Sequence, residues 1–459
     1  MKAPKFKDFI TEAKTDGNLK LLNITDEPEQ AKQFHTADRL KEEADKLKIE
    51  SYLFHLSGGY TQFEDGIRTF HNKKDDKGFV IDNNTIAVVR GSVTRKDSWM
   101  DFISILEKAN VCLINSRQCI SICVDKYRSA LKLGDYGLTQ PKSILVNNPD
   151  TILDQIKESG IKFPLIMKTL RGSKGVGVLF VDSERGLDSI VQLINKQDED
   201  ADLLVQEYIK TDYDVRVLVL GGKVLAAMKR PVIEGDFRSN VSQGSKPEKI
   251  KLTELEIEES LKAAKAVNGL WTAVDFIPSK NREKEPPFML EVNSSPGTEG
   301  IEEATGLNIA KAVIDHFQDS KNRFKVPTEC GHREIVSIKP WGDMVAKFDT
   351  GNSVLSVIHA EEMKLTGKNV TWTLLGKTLT SPIIREEEIS VGGLRDYDET
   401  RYVIKLFVEF LGGMYETEFT LDDRKDRTPI LFDREFMSRV NVMVNPDRKY
   451  VVTTKYSLD

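Results

Sequence analysis

The feature that most constrains this chain is an apolar run ending in polar and turn-forming residues, Phe288-Met-Leu-Glu-Val-Asn-Ser-Ser-Pro-Gly297. Side chains alternate between the faces of a strand, so Glu291 and Asn293 would share one face. A second apolar segment, residues 271–277, carries one acid, Asp275. A hairpin of these strands would bring three oxygen ligands together, and phosphate and water oxygens would complete the octahedron that Mg²⁺ prefers. The sequence therefore predicts a magnesium site, and the alternative is a polar cap on an exposed strand end.

A glycine-rich loop follows a strand that ends in Lys168. Gly172, Gly175 and Gly177 fall within six residues, which lets backbone N–H groups approach phosphate oxygens, while Lys168 adds positive charge. The Gly-Lys-Ser/Thr ending of a Walker loop is missing. We therefore predict a nucleotide-phosphate site of another type, and the alternative is a flexible hairpin.

Arginines recur near the ends of the next predicted strands. Alternation can place Arg216 on the same face as Asp214, Arg230 lies on a neighbouring strand, and Arg238 follows. Isolated arginines are usually surface residues. Within one cleft, these three favour a clamp for phosphate and carboxylate groups.

Together, these motifs and the run Gly300-Ile-Glu-Glu-Ala-Thr-Gly306 resemble the RimK type of ATP-grasp ligase over roughly residues 20–318. The resemblance implies that ATP and Mg²⁺ or Mn²⁺ are the cofactors and that the reaction passes through an acyl phosphate. It also implies that glutamate or another amino acid is added to a peptide or protein terminus. It implies metal ligands Asp275, Glu291 and Asn293, with Arg216 and Arg230 stabilising charge in the reaction. The nucleotide-binding residues that it implies are Lys126, Lys168, Gly172, Ser173, Gly175, Gly177, Gln206, Glu207, Tyr208, Ile209, Asp214, Arg238, Ser239 and Asn240.

One segment departs from the family pattern. After Asn240 the chain reads Val-Ser-Gln-Gly-Ser-Lys, where family members have a more basic, glycine-rich run. This segment is expected to contact the acceptor or the incoming amino acid. The identities of both substrates therefore stay open.

The residues before the ligase motifs alternate strands and helices. Residues 19–25, 51–56 and 85–90 are predicted strands and 35–47 an amphipathic helix, an order that favours a parallel sheet. Arg90, at the carboxyl end of its strand, either faces the site or lies on the surface. The predicted divisions are an N-terminal arm (1–18), an α/β domain (19–124), the ATP-grasp domain (125–319), a linker (320–333) and a β domain (334–459).

Short strands separated by turn residues predict an all-β, barrel-like domain after residue 334. Its Phe348-Asp349-Thr350-Gly351 turn resembles that of retropepsin-like aspartic proteases, in the domain called an ATP-dependent zinc protease when it is fused to RimK-type ligases. Asp349 would be its catalytic residue, and a homodimer would supply the second carboxylate. Two departures, Asn352 for alanine and Asp433 for glycine, favour the alternative of a peptide-binding module, since an acid at 433 could crowd the turn. No zinc-ligand spacing is present.

Composition narrows the functional classes. The 459 residues suggest about three domains, and a net charge of −6 argues against general nucleic-acid binding. The four cysteines form no Cys-x-x-Cys pair, no apolar run is long enough to span a membrane, and no secretory signal is visible, so we expect a cytoplasmic homo-oligomer without a membrane partner.

The N-terminal arm and the function leave alternatives open. Phe6 to Ala13 resembles the N-termini of proteins packaged by large tailed phages, whereas the alternative is an unprocessed flexible terminus. A phage-encoded chain would act in the host cytoplasm or reside in the virion. Besides the ligase, the sequence allows a dimeric aspartic peptidase with a regulatory ATP-grasp part, or a non-catalytic scaffold.

Overall fold

The computed structural model describes residues 19–26, 35–64, 67–73, 77–82, 84–109, 111–170, 177–197, 202–232, 246–390, 398–425 and 427–453. The chain divides into two compact units, Met1–Lys325 and Val326–Asp459. This division falls inside the segment predicted as a linker, and each unit has its own hydrophobic core. Within the described residues, no helix combines the length and apolar character needed to cross a membrane.

The first part of unit 1 contains a parallel sheet, as predicted. Its strands are ordered β2-β1-β6-β7, and β1 runs parallel to both β2 and β6. The carboxyl ends of parallel strands meet at one edge, so Thr25, His55, Arg90 and Ile114 lie along the same edge of this sheet. The elements are β1 (Lys20–Thr25), α1 (His35–Lys46), β2 (Glu50–His55), β3 (Tyr60–Glu64), β4 (Ile67–His71), β5 (Phe79–Val80), β6 (Thr85–Arg90), α2 (Asp97–Lys108), β7 (Cys112–Ile114) and α3 (Arg117–Cys123).

The second part of unit 1 is an antiparallel sheet ordered β10-β9-β11-β8 with flanking helices. Its first helix begins after Asp125, whose carboxylate accepts a hydrogen bond from the Arg128 N–H and caps the helix as an aspartate at this position commonly does. The elements are α4 (Lys126–Asp135), β8 (Ser143–Val146), α5 (Ile152–Ser159), β9 (Leu165–Thr169), β10 (Val178–Val181), α6 (Glu184–Gln197) and β11 (Leu203–Glu207).

The third part of unit 1 is a sheet ordered β14-β13-β12-β15-β16, packed on helices. Its elements are β12 (Tyr213–Leu220), β13 (Lys223–Pro231), β14 (Glu248–Lys249), α7 (Glu254–Ala266), β15 (Trp271–Ile277), β16 (Phe288–Asn293), α8 (Glu299–Thr305) and α9 (Ile309–Gln318). One buried cluster joins Leu21 and Val88 of the parallel sheet with Leu218 and Trp271 of this sheet. The first and third parts of unit 1 therefore share a core.

Unit 2 is rich in strands, as predicted. Its largest sheet is ordered β18-β19-β27-β20-β26-β25-β24, and β18 also pairs with β25, so the sheet closes on itself as a barrel. The elements are β17 (Thr328–Gly331), β18 (Arg333–Ile338), β19 (Gly342–Phe348), β20 (Ser356–His359), β21 (Glu361–Thr366), β22 (Asn369–Leu374), β23 (Lys377–Pro382), β24 (Arg385–Ser390), β25 (Asp398–Phe410), β26 (Gly413–Asp422), β27 (Ile430–Phe432), α10 (Arg434–Arg439) and β28 (Val442–Asn445).

A buried carboxylate fastens the end of unit 2 to its first strands. Glu334 is fully buried and accepts hydrogen bonds from the N–H groups of Gly331 at 2.6 Å, Val451 at 2.8 Å and Thr453 at 3.1 Å. A buried carboxylate is tolerated when N–H groups surround it in this way. Residues 451–453 are therefore held against the start of unit 2.

Candidate functional site

The predicted hairpin forms and brings three oxygen-bearing side chains together. Strands β15 and β16 pair antiparallel, with Asp275 opposite Glu291 and Ala273 opposite Asn293. Asp275 is buried, whereas Glu291 and Asn293 are partly exposed, and Asn293 Nδ2 donates to Glu291 Oε1 at 3.2 Å. These two carboxylates and one amide lie on one face of the sheet, where they could share a cation.

Two arginines from neighbouring strands enclose Asp275. Arg216 donates from Nε and Nη2 to its two oxygens at 2.8 and 2.6 Å. Arg230 donates to both Asp214 oxygens at 2.7 Å and, through Nη2, to Asp275 Oδ2 at 3.1 Å. Arg216 and Arg230, which are predicted to stabilise the transferred phosphoryl group, are thus held in place by carboxylates.

This network fixes the charges of its members. Burial by itself would raise the pKa of Asp275, but Arg216 and Arg230 outweigh that effect and lower the pKa to about 2. Burial likewise disfavours the charged form of Arg230, yet Asp275 and Asp214 raise its pKa above the ordinary value. Asp275 and Arg230 therefore both stay ionised at neutral pH.

Two lysines lie near this hairpin, Lys168 on β9 of the second sheet and Lys126 at the start of α4. Lys168 Nζ donates to Gln206 Oε1 at 2.7 Å, and Lys126 Nζ donates to the Thr169 carbonyl at 3.2 Å. Burial lowers the pKa of Lys168 to about 8 and also lowers the pKa of Lys126, while the Glu291 carboxylate opposes both shifts. Glu291 therefore lies close enough to interact electrostatically with both lysines.

The last residues of β11 are fixed by polar contacts. Gln206 Nε2 donates to Ser143 Oγ at 2.9 Å, and Glu207 Oε1 accepts from the Lys142 backbone N–H at 2.7 Å. The Tyr208 ring meets Phe180 edge-on with 5.1 Å between ring centroids. Ile209 is partly exposed beside them. One carboxylate oxygen of Glu207 is thus used within the protein before any ligand arrives.

The glycine-rich loop closes at a position where only glycine fits. Gly177 has φ +78°, and a Cβ there would lie 2.3 Å from Thr169 Oγ1. The Gly177 carbonyl accepts from the Thr169 N–H at 2.9 Å, which joins the two ends of the loop. The predicted residues Gly172, Ser173, Gly175, Arg238, Ser239 and Asn240 lie outside the described residues.

The side chains fit a magnesium–nucleotide complex. Within the described residues, no group of three or more histidine, cysteine, aspartate or glutamate side chains is arranged to hold a metal ion. Asp275, Glu291 and Asn293 supply fewer ligands than an octahedron needs, which suits a cation that is also bound by phosphate oxygens. Lys126 at the start of α4 and Lys168 on β9 carry buried charge that phosphates would compensate.

In unit 2, Asp349 occupies a hydrogen-bonded turn. Its N–H donates to the Phe432 carbonyl at 3.2 Å, and its Oδ1 accepts from the Gly351 N–H at 3.0 Å. Lys347 Nζ lies 3.0 Å from Asp349 Oδ2. Burial opposes ionisation, but Lys347 and the Gly351 N–H lower the pKa of Asp349.

Asp433 does not crowd this turn, contrary to the expectation from sequence. Its carboxylate points to the start of α10, where it accepts from the Phe436 N–H at 2.9 Å and from Ser356 Oγ at 3.1 Å. The next residue, Arg434, donates its backbone N–H to the Asn352 carbonyl at 3.0 Å. The acid therefore caps a helix and supports the turn.

The geometry agrees with comparisons to known proteins. Residues 123–317 match the family model described as the RimK-like ATP-grasp domain. A probable alpha-L-glutamate ligase of Methanococcoides burtonii is 32% identical over 301 residues, which cover 65% of this chain and 96% of that relative. The chain belongs to the RimK-like ATP-grasp ligase family.

Other members and neighbours place limits on the likeness. A probable alpha-L-glutamate ligase of Psychromonas ingrahamii is 41% identical to this chain over 207 residues. The match covers 45% of this chain and 66% of that relative, so this chain spans less than two thirds of the relative's length. The Chryseobacterium gregarium RiPP-associated ATP-grasp ligase has a TM-score of 0.51 at 16% identity, covering 67% of this chain and 99% of that one. The macrocyclase MdnC of Microcystis aeruginosa has a TM-score of 0.50 at 13% identity, covering 66% and 99%. These two structures share the ATP-grasp fold with unit 1.

Unit 2 has a separate relationship. Residues 330–455 match the family model described as the retropepsin-like aspartic endopeptidase RimB. This match includes the Asp349 turn and the Asp433 cap, and it agrees with the closed sheet of unit 2. The chain therefore joins a RimK-like domain to a retropepsin-like domain.

Sequence reasoning missed the side chains that hold the loop after the predicted metal ligands. Asn115 is fully buried and donates from Nδ2 to the carbonyls of Trp271 and Ser294, both at 2.7 Å. Thr36 Oγ1 accepts from the Thr298 N–H at 3.3 Å. A polar residue directly after the apolar β7 was the available signal for Asn115, whereas nothing in the sequence distinguishes Thr36.

The buried network leads to a stability prediction. We expect Asp275→Asn to lower the unfolding free energy at pH 7 by about 3 kcal/mol, because both neighbouring arginines lose a buried counter-charge. The folded-state pKa of Asp275 is depressed, so its stabilising effect is present above about pH 4 and is lost as the pH falls toward 2. Urea denaturation of the full chain should show a large difference at pH 7 that shrinks at pH 3.

The matched control for this prediction is Asp188→Asn, which changes an exposed aspartate on α6. It should leave the urea midpoint unchanged at both pH values. Equal stability of wild type and Asp275→Asn at pH 7 would show that the network does not stabilise the fold.

Proposed function

We propose that the protein is an ATP-dependent carboxylate–amine ligase that adds glutamate or another amino acid to the terminal carboxyl group of a peptide or protein. The observation that carries this proposal is the hairpin of β15 and β16, which sets Asp275 opposite Glu291 and in contact with Arg216 and Arg230. The Glu291 carboxylate also opposes the lowering of the pKa of Lys126 and of Lys168, which supports a shared site for a predicted metal ligand and two predicted phosphate ligands. The names of the relatives support glutamate, and peptide-bound neighbours such as MdnC support a peptide acceptor.

The proposed reaction starts at the acceptor carboxylate, which is a poor electrophile because of its negative charge. Its oxygen attacks the terminal phosphorus of ATP, the bond to the bridging oxygen breaks, and ADP leaves. The amine then attacks the acyl carbon of the acyl phosphate, inorganic phosphate leaves, and the amine nitrogen loses its proton. The nucleotide supplies the phosphoryl group, and what the protein must provide is alignment and charge compensation.

The side chains divide these tasks between them. Asp275, Glu291 and Asn293 would hold Mg²⁺, or Mn²⁺ in its place, which compensates phosphate charge. Lys126 and Lys168 bind phosphate oxygens. The developing negative charge would be stabilised by Arg216, Arg230 and Arg238. Because Asp214 and Asp275 fix the first two guanidinium groups, little reorganisation is needed when charge develops.

The central test is amino-acid-dependent release of ADP. Purified full-length protein with Mg-ATP, L-glutamate and a glutamate-ended peptide should release ADP and extend the peptide by one residue at a time, as mass spectrometry would show. Glu291→Gln should lower the rate at least about 100-fold, because it removes one anionic metal ligand. Glu283→Gln, on an exposed loop, should match wild type. ADP release that needs neither amino acid nor peptide would contradict the proposal.

A second prediction follows from the depressed pKa of Lys168. At pH 9 most Lys168 side chains are neutral, since the pKa is about 8 in the free protein, and nearby phosphates favour the charged form. Binding of Mg-ADP at pH 9 should therefore take up close to one proton, and affinity should fall as the pH rises above 8. Calorimetric titrations in two buffers with different ionisation enthalpies measure this uptake.

The controls separate Lys168 from other groups. Lys168→Met should abolish the proton uptake and flatten the dependence of affinity on pH. Lys157→Met, at an exposed position on α5, should behave as wild type. Unchanged proton uptake in Lys168→Met would assign the titration to another residue and remove Lys168 from the proposed phosphate site.

A second candidate function, peptide cleavage by unit 2, is favoured by the hydrogen-bonded Asp349 turn. Aspartic proteolysis needs two carboxyl groups that share a proton, so a second copy of the chain would supply the partner aspartate. The ion pair with Lys347 works against this, because it stabilises the ionised form of Asp349. Cleavage would therefore be confined to acidic pH. If unit 2 does not cleave peptides, it would serve as a peptide-binding module.

Substitution of Lys347 tests this candidate. Lys347→Met should raise the pKa of Asp349, so cleavage of a fluorogenic peptide library should extend to higher pH than in wild type. Asp349→Asn should abolish cleavage and leave ADP release unchanged. Lys364→Met, at an exposed position on β21, should keep the wild-type pH profile. No cleavage by wild type or Lys347→Met between pH 4 and 7 would rule out the peptidase function.

A further inference from the structure

Arg90 stands where the parallel sheet of unit 1 meets the loop after the predicted metal ligands. It is the last residue of β6, and its Nη1 donates to the Pro296 carbonyl at 2.7 Å. Its guanidinium carbon lies 5.7 Å from the centre of the Trp271 ring, over the ring face. These contacts hold the guanidinium in one position and leave part of the side chain exposed.

The charge of Arg90 has no counter-ion within the described residues. Arg216 and Arg230 are paired with carboxylates, whereas no ion pair forms at Arg90 in the described part of the chain. Burial accordingly lowers the pKa of Arg90 to about 10, and the group stays charged at neutral pH. A desolvated cation is costly unless an anion compensates it, so this position favours an anionic ligand.

The surroundings of Arg90 belong to the candidate active site. Pro296 follows Asn293 by three residues, so at most about 11 Å of extended chain separates their Cα atoms. Asn115 and Thr36 fix the same loop on either side, through the Ser294 carbonyl and the Thr298 N–H. The carboxyl edge of a parallel sheet is also the usual ligand-binding edge of open α/β folds.

We propose that Arg90 binds a carboxylate of the amino acid that supplies the amine. This proposal rests on the ligase function proposed above and adds the residue that selects an acidic group on the second substrate. The guanidinium fork suits a carboxylate, which it can bind through two parallel hydrogen bonds, and the Trp271 ring covers one of its faces.

The other anions of the reaction have other partners. Lys168 on β9 and Lys126 at the start of α4 are both influenced by the Glu291 carboxylate, and they serve the nucleotide phosphates. Arg216 and Arg230 lie beside Asp275, where the reacting carboxyl group is expected. Arg90 belongs to a different sheet, at the carboxyl end of β6 and in contact with the loop that follows Asn293, so it is assigned a carboxylate that is not consumed.

Equilibrium binding tests the proposal without turnover. L-glutamate titrated calorimetrically into full-length protein with Mg²⁺ and a non-hydrolysable ATP analogue should bind wild type. Arg90→Gln should weaken binding about 10- to 100-fold, as expected for loss of a charged hydrogen-bond partner, and Arg90→Lys should fall between the two. Glutamine keeps an N–H donor for the Pro296 carbonyl, which limits disturbance of the loop. Mg-ADP affinity, measured in parallel, should not change.

The matched control is Arg128→Gln. Arg128 also donates through Nη1 to one main-chain carbonyl, that of Ser121 at 2.9 Å, but it is exposed on α4. This variant should bind glutamate as wild type does. Loss of nucleotide binding in Arg90→Gln would show that this substitution damages the protein generally. The glutamate affinity of Arg90→Lys would then decide whether Arg90 binds the carboxylate, because lysine keeps a positive charge at this position.

Amide analogues identify the carboxylate. Wild type should discriminate against either isoglutamine or glutamine, which replace the α- or the side-chain carboxylate by an amide. In Arg90→Gln the discrimination against that one analogue should collapse toward unity, an effect that a merely structural role would not produce. The analogue concerned tells whether Arg90 binds the α- or the side-chain carboxylate.

Two outcomes would overturn the proposal. Equal glutamate affinity in wild type and Arg90→Gln, or unchanged discrimination between glutamate and both amides, would exclude Arg90 as the carboxylate ligand. Absence of glutamate binding in wild type would also overturn it. The ligase function stands or falls separately, by amino-acid-dependent ADP release from wild type.

Discussion

The buried carboxylate of Asp275 is the interaction on which the candidate site depends. Arg216 donates hydrogen bonds to both of its oxygens, and Arg230 bonds both Asp275 and Asp214. Three strands of one sheet are therefore connected by ion pairs as well as by backbone hydrogen bonds. A buried carboxylate held by two guanidinium groups stays ionised, and the guanidinium groups stay oriented. Asp275, which would bind a cation, and the two arginines that would stabilise a phosphoryl group therefore form one preorganised network.

The parallel sheet of unit 1 contributes to this site through backbone contacts made at its carboxyl edge. Asn115, Arg90 and Thr36 hold the carbonyl and N–H groups of the loop after Asn293. Since this sheet also shares a core with the sheet that carries the acids, it supports the position of the predicted metal ligands. A substitution in the parallel sheet can therefore disturb the candidate site from a distance.

Unit 2 uses buried charge in a different way. Glu334 binds backbone N–H groups near the end of the chain, and Asp433 caps the helix beside the Asp349 turn. Both acids thereby satisfy donors that the closed sheet would otherwise bury unpaired. Asp349 itself is paired with Lys347, which stabilises the ionised form of its carboxylate.

The amino-acid sequence by itself determined the hairpin of Asp275, Glu291 and Asn293, the parallel order of the first strands and the strand-rich second unit. These depend on local alternation and turn residues, which short stretches of sequence encode. Only the tertiary structure decided that Arg216 and Arg230 are engaged by aspartates, that Asp433 caps a helix, and that Asn115 and Arg90 reach the loop after Asn293. Such contacts join residues as much as 206 positions apart, as from Arg90 to Pro296. Their partners are chosen by burial, because a desolvated polar group must find a complementary one wherever the fold brings it.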